Sequence, residues 1–135
     1  MPHLKIEYSK NLEDKLDIQD LCDVLLHECL AQVDDEGKRV FPIGGTRVLA
    51  YPASYYAVAD GLSTRGFIYV NMRIIAGRSS ATIKQVGDNL SAALNNFLEP
   101  YFATETIGYT LQIDEGADVY DNKGGNLRTI QYAAS

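Results

Sequence analysis

Three residues in this chain have the type and placement for proton transfer on an acidic small molecule: Pro2, Arg47 and Arg78. A proline directly follows Met1, and methionine before so small a residue is normally removed in the cell. Pro2 would then carry a free secondary amine. Behind it, Leu4, Ile6 and Tyr8 alternate with His3, Lys5 and Glu7, the period of a strand with one apolar face. A chain end that runs straight into a core strand is tied down rather than frayed. A fixed amine with a tunable pKa can act as an acid or a base. A proline at position two also opens strands with no chemical role. Taken alone, that is the commoner case, so the reading depends on what lies near Pro2.

Arg47 opens a second strand after the Gly44-Gly45 loop, and Arg78 closes a third strand just before a long helix. A helix N-terminus is itself a mild anion site. The guanidinium fork suits carboxylates and phosphates. The charge distribution sharpens this point. Residues 1–40 carry a net −5, residues 41–80 a net +3 and residues 81–135 a net −4, for −6 overall. The basic residues of the middle segment are all arginine: Arg47, Arg65, Arg73 and Arg78. Balancing acidic neighbours is the simpler task for any of them, and Arg65 and Arg73 are assigned to it. Arg73 shares a strand face with Tyr69 and Asn71, which leaves a pocket or interface role open. Tyr51, Tyr55 and Tyr56 are expected as interface or pocket wall.

At 135 residues the chain reads as a single domain with length enough for a real core. The negative net charge argues against nucleic acid as a partner. No apolar run approaches a membrane span. Lys5 and Glu7 interrupt the apolar residues of the first strand, so no signal peptide is expected and the cytoplasm is the expected compartment. Cys22 and Cys29 are seven residues apart on an expected helix, about 10 Å by helical rise. That is beyond disulfide reach of about 7 Å, so free, half-buried thiols are expected. With two histidines and no ligand cluster, no metal site is expected.

The elements that must position Pro2 and the arginines follow in order. The first strand runs to Tyr8, and Ser9-Lys10-Asn11 turns. A helix follows with Asp17 as N-cap and an apolar face of Ile18, Leu21, Cys22, Leu25, Cys29 and Val33. It should stop before Asp34-Asp35-Glu36-Gly37. A loop over 37–46 leads to a strand from Thr46 to Tyr51, broken by Pro52-Ala53-Ser54. The third strand spans Gly66 to Ile75. A second helix, capped by Ser79 or Ser80, carries the stripe Ile83, Val86, Leu90, Ala93, Leu94, Phe97, Leu98 and Tyr101. A fourth strand spans Thr106 to Ile113. The tail is expected to be irregular, with a short extended piece at 127–132.

The order is βαβ over 1–60 and βαβ over 62–115, with a tail over 116–135. An α/β (α+β) architecture follows: a four-stranded sheet with two helices on one face and parallel pairing within each half. The other sheet face is left bare, with Phe67, Tyr69, Val48 and Ala50 as its candidate contacts. A partner subunit would cover it. The ferredoxin-like sandwich and the double βαβ unit of tautomerases share this order, and order alone does not separate them.

The ordered set Pro2-His3 with Glu7, Ser9 and Asn11, then Phe41-Pro42-Ile43-Gly44-Gly45-Thr46-Arg47, Ala59-Asp60-Gly61 and Ala76-Gly77-Arg78-Ser79 resembles the 5-carboxymethyl-2-hydroxymuconate isomerase family of the tautomerase superfamily. The match runs ungapped from 41 to 79 and covers 2–12, with a weaker likeness around Lys123 and Asn126. The resemblance implies a homotrimer with an amino-terminal proline as catalytic base. It places Pro2, Arg47 and Arg78 in the active site, with both arginines on substrate carboxylates. The implied reaction converts a 2-hydroxymuconate-type dienol to its 2-oxo-enoate isomer in aromatic-acid breakdown, without metal or organic cofactor. A trimeric binding or scaffold protein that kept the fold and lost the chemistry is the rival reading.

Overall fold

The computed structural model describes residues 2–131. Strand β1 (His3–Ser9) is followed by helix α1 (Ile18–Ala31), strand β2 (Arg47–Ala53), strand β3 (Arg65–Ile75), helix α2 (Ser80–Leu98) and strand β4 (Thr106–Gly116). The sheet order is β2-β1-β3-β4. Each half is a parallel pair, β1 with β2 and β3 with β4. The halves join through the antiparallel pair β1–β3. In a split βαβ unit another strand separates the two parallel strands. Here they are direct neighbours in both halves, which rules out the ferredoxin-like arrangement.

Both helices start where the sequence places a capping side chain. The Asp17 carboxylate accepts from the Asp20 N–H at 3.0 Å, and the Ser79 hydroxyl accepts from the Thr82 N–H at 3.1 Å. Each bond satisfies a backbone donor that the first helical turn leaves orphaned. α1 buries Leu21, Leu25 and Cys29, and α2 buries Val86, Leu90, Leu94 and Leu98. These pack on Leu4, Ile6, Ile68, Val70 and Met72 of the two central strands. Where the helices meet, buried Gln32 is fully engaged. Its amide donates to the Glu28 carbonyl and carboxylate, and its oxygen accepts from Asn89.

Cys22 and Cys29 are both free thiols. Burial pushes the Cys29 thiol up to about 12, with a smaller push from Glu28, so it is inert at neutral pH. Among the described residues no helix is long and apolar enough to cross a membrane.

The structure corrects five expectations. Val33 is not on the apolar face of α1, which ends at Ala31, but is exposed in an isolated bridge with Arg39. Val48 and Ala50 pair with Leu4 and Ile6, so they lie on the helix-covered face and not on the bare one. The bare face of β2 carries Arg47, Leu49 and Tyr51 instead. Pro52 does not break β2, which continues to Ala53. β2 is an edge strand, where a missing N–H goes unnoticed. β4 continues past Ile113 to Gly116, because the longer β3 pairs with it as far as Ile75. The tail forms a 3-10 turn at Leu127–Thr129 rather than an extended piece; Tyr132 lies outside the described residues.

Leu90 is wholly buried between the sheet and α1. Leu90→Ala should cost about 2–5 kcal/mol of folding stability. A urea titration should show a lower midpoint with an unchanged slope.

Candidate functional site

Pro2 continues the even-numbered face of β1. It shares the parity of Leu4 and Ile6, and like them it is fully buried. Its carbonyl accepts from the Arg47 N–H at 3.4 Å, which carries the β1–β2 ladder one rung beyond His3. The start of the chain is thus held on one side by the core and on the other by β2. The 3-10 turn Ile43–Gly45 delivers Arg47 to the head of β2. The Thr46 hydroxyl closes that turn on the Pro42 carbonyl at 2.7 Å.

Arg47 lines a cleft of about 840 Å³ whose apolar wall includes Ile43 and Ile75. Asp121, Lys123 and Arg128 complete its charged lining. These three come from the tail. Its 3-10 turn lies directly on the Ile43–Gly45 turn, and the approach is very close. A Cβ built on Gly44 would sit 2.5 Å from the Leu127 carbonyl oxygen and 2.9 Å from the Arg128 Cα. Only glycine lets the two backbones meet at this distance. Asp121 pairs with Lys123.

Arg78 does not line the cleft. Its guanidinium donates to the Val40 carbonyl at 3.1 Å and to the Ile75 carbonyl at 3.3 Å. The guanidinium carbon lies 5.1 Å from the centroid of the buried Phe41 ring, within cation–π range. Arg78 therefore braces the cleft wall from behind, through Ile75 and through Phe41, the neighbour of Pro42. Arg65 forms a two-point pair with Asp60 at 2.9 and 3.0 Å, and this holds the Asp60 carboxyl below the usual range. Arg73 stands 3.7 Å from Asp118.

Pro2 and Arg47 are thus neighbours, and Arg78 reaches them only through the wall. Lys123 and Arg128 also line the cleft, and neither is among the candidates named from the sequence. The weak likeness around Lys123 and Asn126, with Gly124-Gly125 between them, was the available signal for Lys123. Nothing in local pattern pointed to Arg128.

The next residue of the strand, His3, pairs with Arg47 on one side and Arg73 on the other. Its Nδ1 is buried without a hydrogen-bond partner among the described residues. Burial first, then the charges of Arg47 and Lys5, hold its pKa below the ordinary 6.5.

The family model for 5-carboxymethyl-2-hydroxymuconate isomerase matches residues 2–130. The chain belongs to that family. It is therefore an isomerase, and its architecture is that of the tautomerase superfamily. A crystal structure of a 5-carboxymethyl-2-hydroxymuconate delta-isomerase is 46% identical with a TM-score of 0.91, over 96% of this chain and 91% of that one. A 5-carboxymethyl-2-hydroxymuconate isomerase from Deinococcus radiodurans R1 is 33% identical with a TM-score of 0.82, over 95% of this chain and 92% of that one. The 5-carboxymethyl-2-hydroxymuconate Delta-isomerase of Escherichia coli is 22% identical over 96% of this chain and 98% of its own length.

The environment of His3 has a consequence in pH. The native state holds His3 neutral, whereas the unfolded chain protonates it near 6.5. Its contribution to stability is present above 6.5 and is lost as pH falls through the lower folded value. The His3 ring protons should titrate in NMR with a midpoint below 6.5. His3→Gln should remove the part of the stability change that falls between that midpoint and 6.5. A native midpoint at or above 6.5 would contradict this.

Proposed function

We propose that the enzyme isomerises a 2-hydroxymuconate-type dienol, 5-carboxymethyl-2-hydroxymuconate or a close relative, to its 2-oxo-enoate isomer, with the Pro2 amine as base after removal of Met1. The observation that carries this reading is the placement of Pro2. It is buried at the foot of β1, and its carbonyl accepts from the N–H of the cleft residue Arg47. The family, and the relatives named for this substrate, support it.

The chemistry then has a simple balance. The neutral amine takes the proton of the dienol hydroxyl and leaves a dienolate. The prolinium returns the proton to carbon at the far end of the diene. One O–H bond breaks, one C–H bond forms, the double bonds shift and nothing is oxidised. Arg47 binds a substrate carboxylate and offsets the charge of the dienolate. The same positive charge, with burial, disfavours the prolinium and lowers the amine pKa toward neutrality. Arg78, engaged with the Val40 and Ile75 carbonyls, supports the site by holding its wall and adds positive charge behind it.

Protein processed to a free Pro2 amine, verified by intact mass, should turn over the dienol. Homogeneous Met1-retaining protein should be nearly inactive. With Met1 removed, Pro2→Ala should keep some activity, because a primary amine remains. Activity of the processed enzyme should rise with pH through a single ionisation assigned to the Pro2 amine. Arg47→Ala should lower kcat/KM about 10- to 100-fold, the loss of one charge-assisted hydrogen bond. Full activity with Met1 in place would end the proline mechanism.

The enzyme is further proposed to be a homotrimer that buries the bare sheet face. Leu49, Tyr51 and Ile75 are each 44–46% exposed on that face, and both sheet edges are open. Such an apolar surface on two-sided strands calls for a cover. Light scattering at micromolar concentration should give the mass of three chains; a stable monomer would refute it.

A further inference from the structure

We propose that Arg128 is a specificity-determining residue: the docked tail presents it to the cleft as a second anion-binding point, selecting substrates that carry a carboxylate beyond the one held near Arg47. This rests on the reading of the cleft as the site of dienol isomerisation. Three observations on different parts of the molecule carry it.

The first is charge. The cleft is lined by Arg47, Lys123 and Arg128 against Asp121 alone, in a chain of net charge −6. A low-dielectric cleft of one sign draws and concentrates ligands of the other.

The second is pairing. Asp121 is already engaged with Lys123. Arg65 and Arg73 have carboxylate partners, and Arg78 is spent on backbone carbonyls. The Arg128 side chain makes no hydrogen bond or ion pair among the described residues. Its planar fork is thus available for two-point binding of a carboxylate.

The third is position. A residue on a loose tail would give no defined binding point. This tail is seated so closely that Gly44 has no room for a Cβ, and the atoms in the way are backbone atoms of Leu127 and Arg128 themselves. Gly44 has no positive φ to explain its identity. What the glycine provides is the close approach that fixes Arg128. The Thr129 hydroxyl locks the same turn by donating to the Asn126 carbonyl at 2.7 Å.

Two assays on the full-length processed protein test this. The first needs no turnover: calorimetric binding of an inert tricarboxylate, propane-1,2,3-tricarboxylate, and of butyrate. Wild type should prefer the tricarboxylate. Arg128→Gln should weaken tricarboxylate binding about 10- to 100-fold, the worth of one charge-assisted hydrogen bond. It should change butyrate binding far less. Arg128→Lys should recover part of the loss. Gly44→Ala, which removes no charge, should lower the same preference by unseating the tail. The second assay compares kcat/KM for 5-carboxymethyl-2-hydroxymuconate and for a dienol with a single carboxylate, 2-hydroxypenta-2,4-dienoate. Arg128→Gln should reduce the ratio in favour of the smaller substrate, mainly through KM. A wild type without preference, or an Arg128→Gln variant that keeps it or loses both ligands equally, overturns the inference. Selective loss in the binding assay with no turnover by wild type would refute the isomerase substrate and leave the anion point standing. Turnover with an unaltered preference in Arg128→Gln would do the reverse.

Discussion

The β1–β3 pairing is the contact on which the rest of the molecule depends. Each βαβ half could close its own parallel pair, but neither could bury its sheet alone. Leu4, Ile6 and Tyr8 stand opposite Met72, Val70 and Ile68 across the antiparallel seam. Five of these six are wholly inaccessible, and Tyr8 is nearly so. Both helices pack over this double row. Strand parity then leaves no freedom to the odd residues of β1, because a strand turns successive side chains to opposite faces. His3, Lys5 and Glu7 must face the uncovered side. Pro2 must go with the core. The same constraint that builds the sheet therefore anchors the amine proposed for chemistry.

A buried chain start beside cationic side chains carries a cost. A protonated His3 is disfavoured there, and the amine proposed at Pro2 would be subject to the same two causes. Both effects favour neutral nitrogen at the foot of β1. For a structural element this would be a weakness, since it lowers stability in mild acid. For a base that must be unprotonated near neutrality it is the required condition. Arg47 lies beside Pro2, while the acidic residues of 34–36 lie out in the solvated turn after α1.

Much of this fold was legible in the residues. The caps Asp17 and Ser79 and the stripe from Val86 to Leu98 each express a local rule, and local rules survive folding. The faces of β2 were not legible. Val48 and Ala50 could be assigned to either side, because the register of an edge strand is set by its partner and a shift of one residue exchanges the faces. Pro52 misled for the same reason: its cost depends on whether a neighbour needs its N–H. Pro2, Arg47 and Arg78 are singled out in the sequence by type and placement and by their ordered resemblance. The contrast between Arg47 on the cleft and Arg78 behind its wall is tertiary, decided by the carbonyls of Val40 and Ile75. Arg128 lay furthest from local reading, since its place depends on a tail folding back more than eighty residues onto Gly44.

That return of the tail also bears on how one scaffold can serve different anions. Core packing fixes Pro2, where any change is felt throughout, and strand pairing with His3 fixes Arg47. Among the described residues the tail meets the cleft rim at a close backbone approach on Gly44 and contributes no core residue. Side chains there can change without disturbing the sheet, and loops carry such variation at little cost to the fold. The proposed base and its neighbouring arginine thus belong to the rigid part, and Lys123 and Arg128 to the adaptable part. In such a division the reaction type is set where the structure is least tolerant of change. The number and spacing of carboxylates that a substrate carries would be set where it is most tolerant. The limit on that tolerance is Gly44: any side chain there displaces the strap, and with it every charge the strap presents.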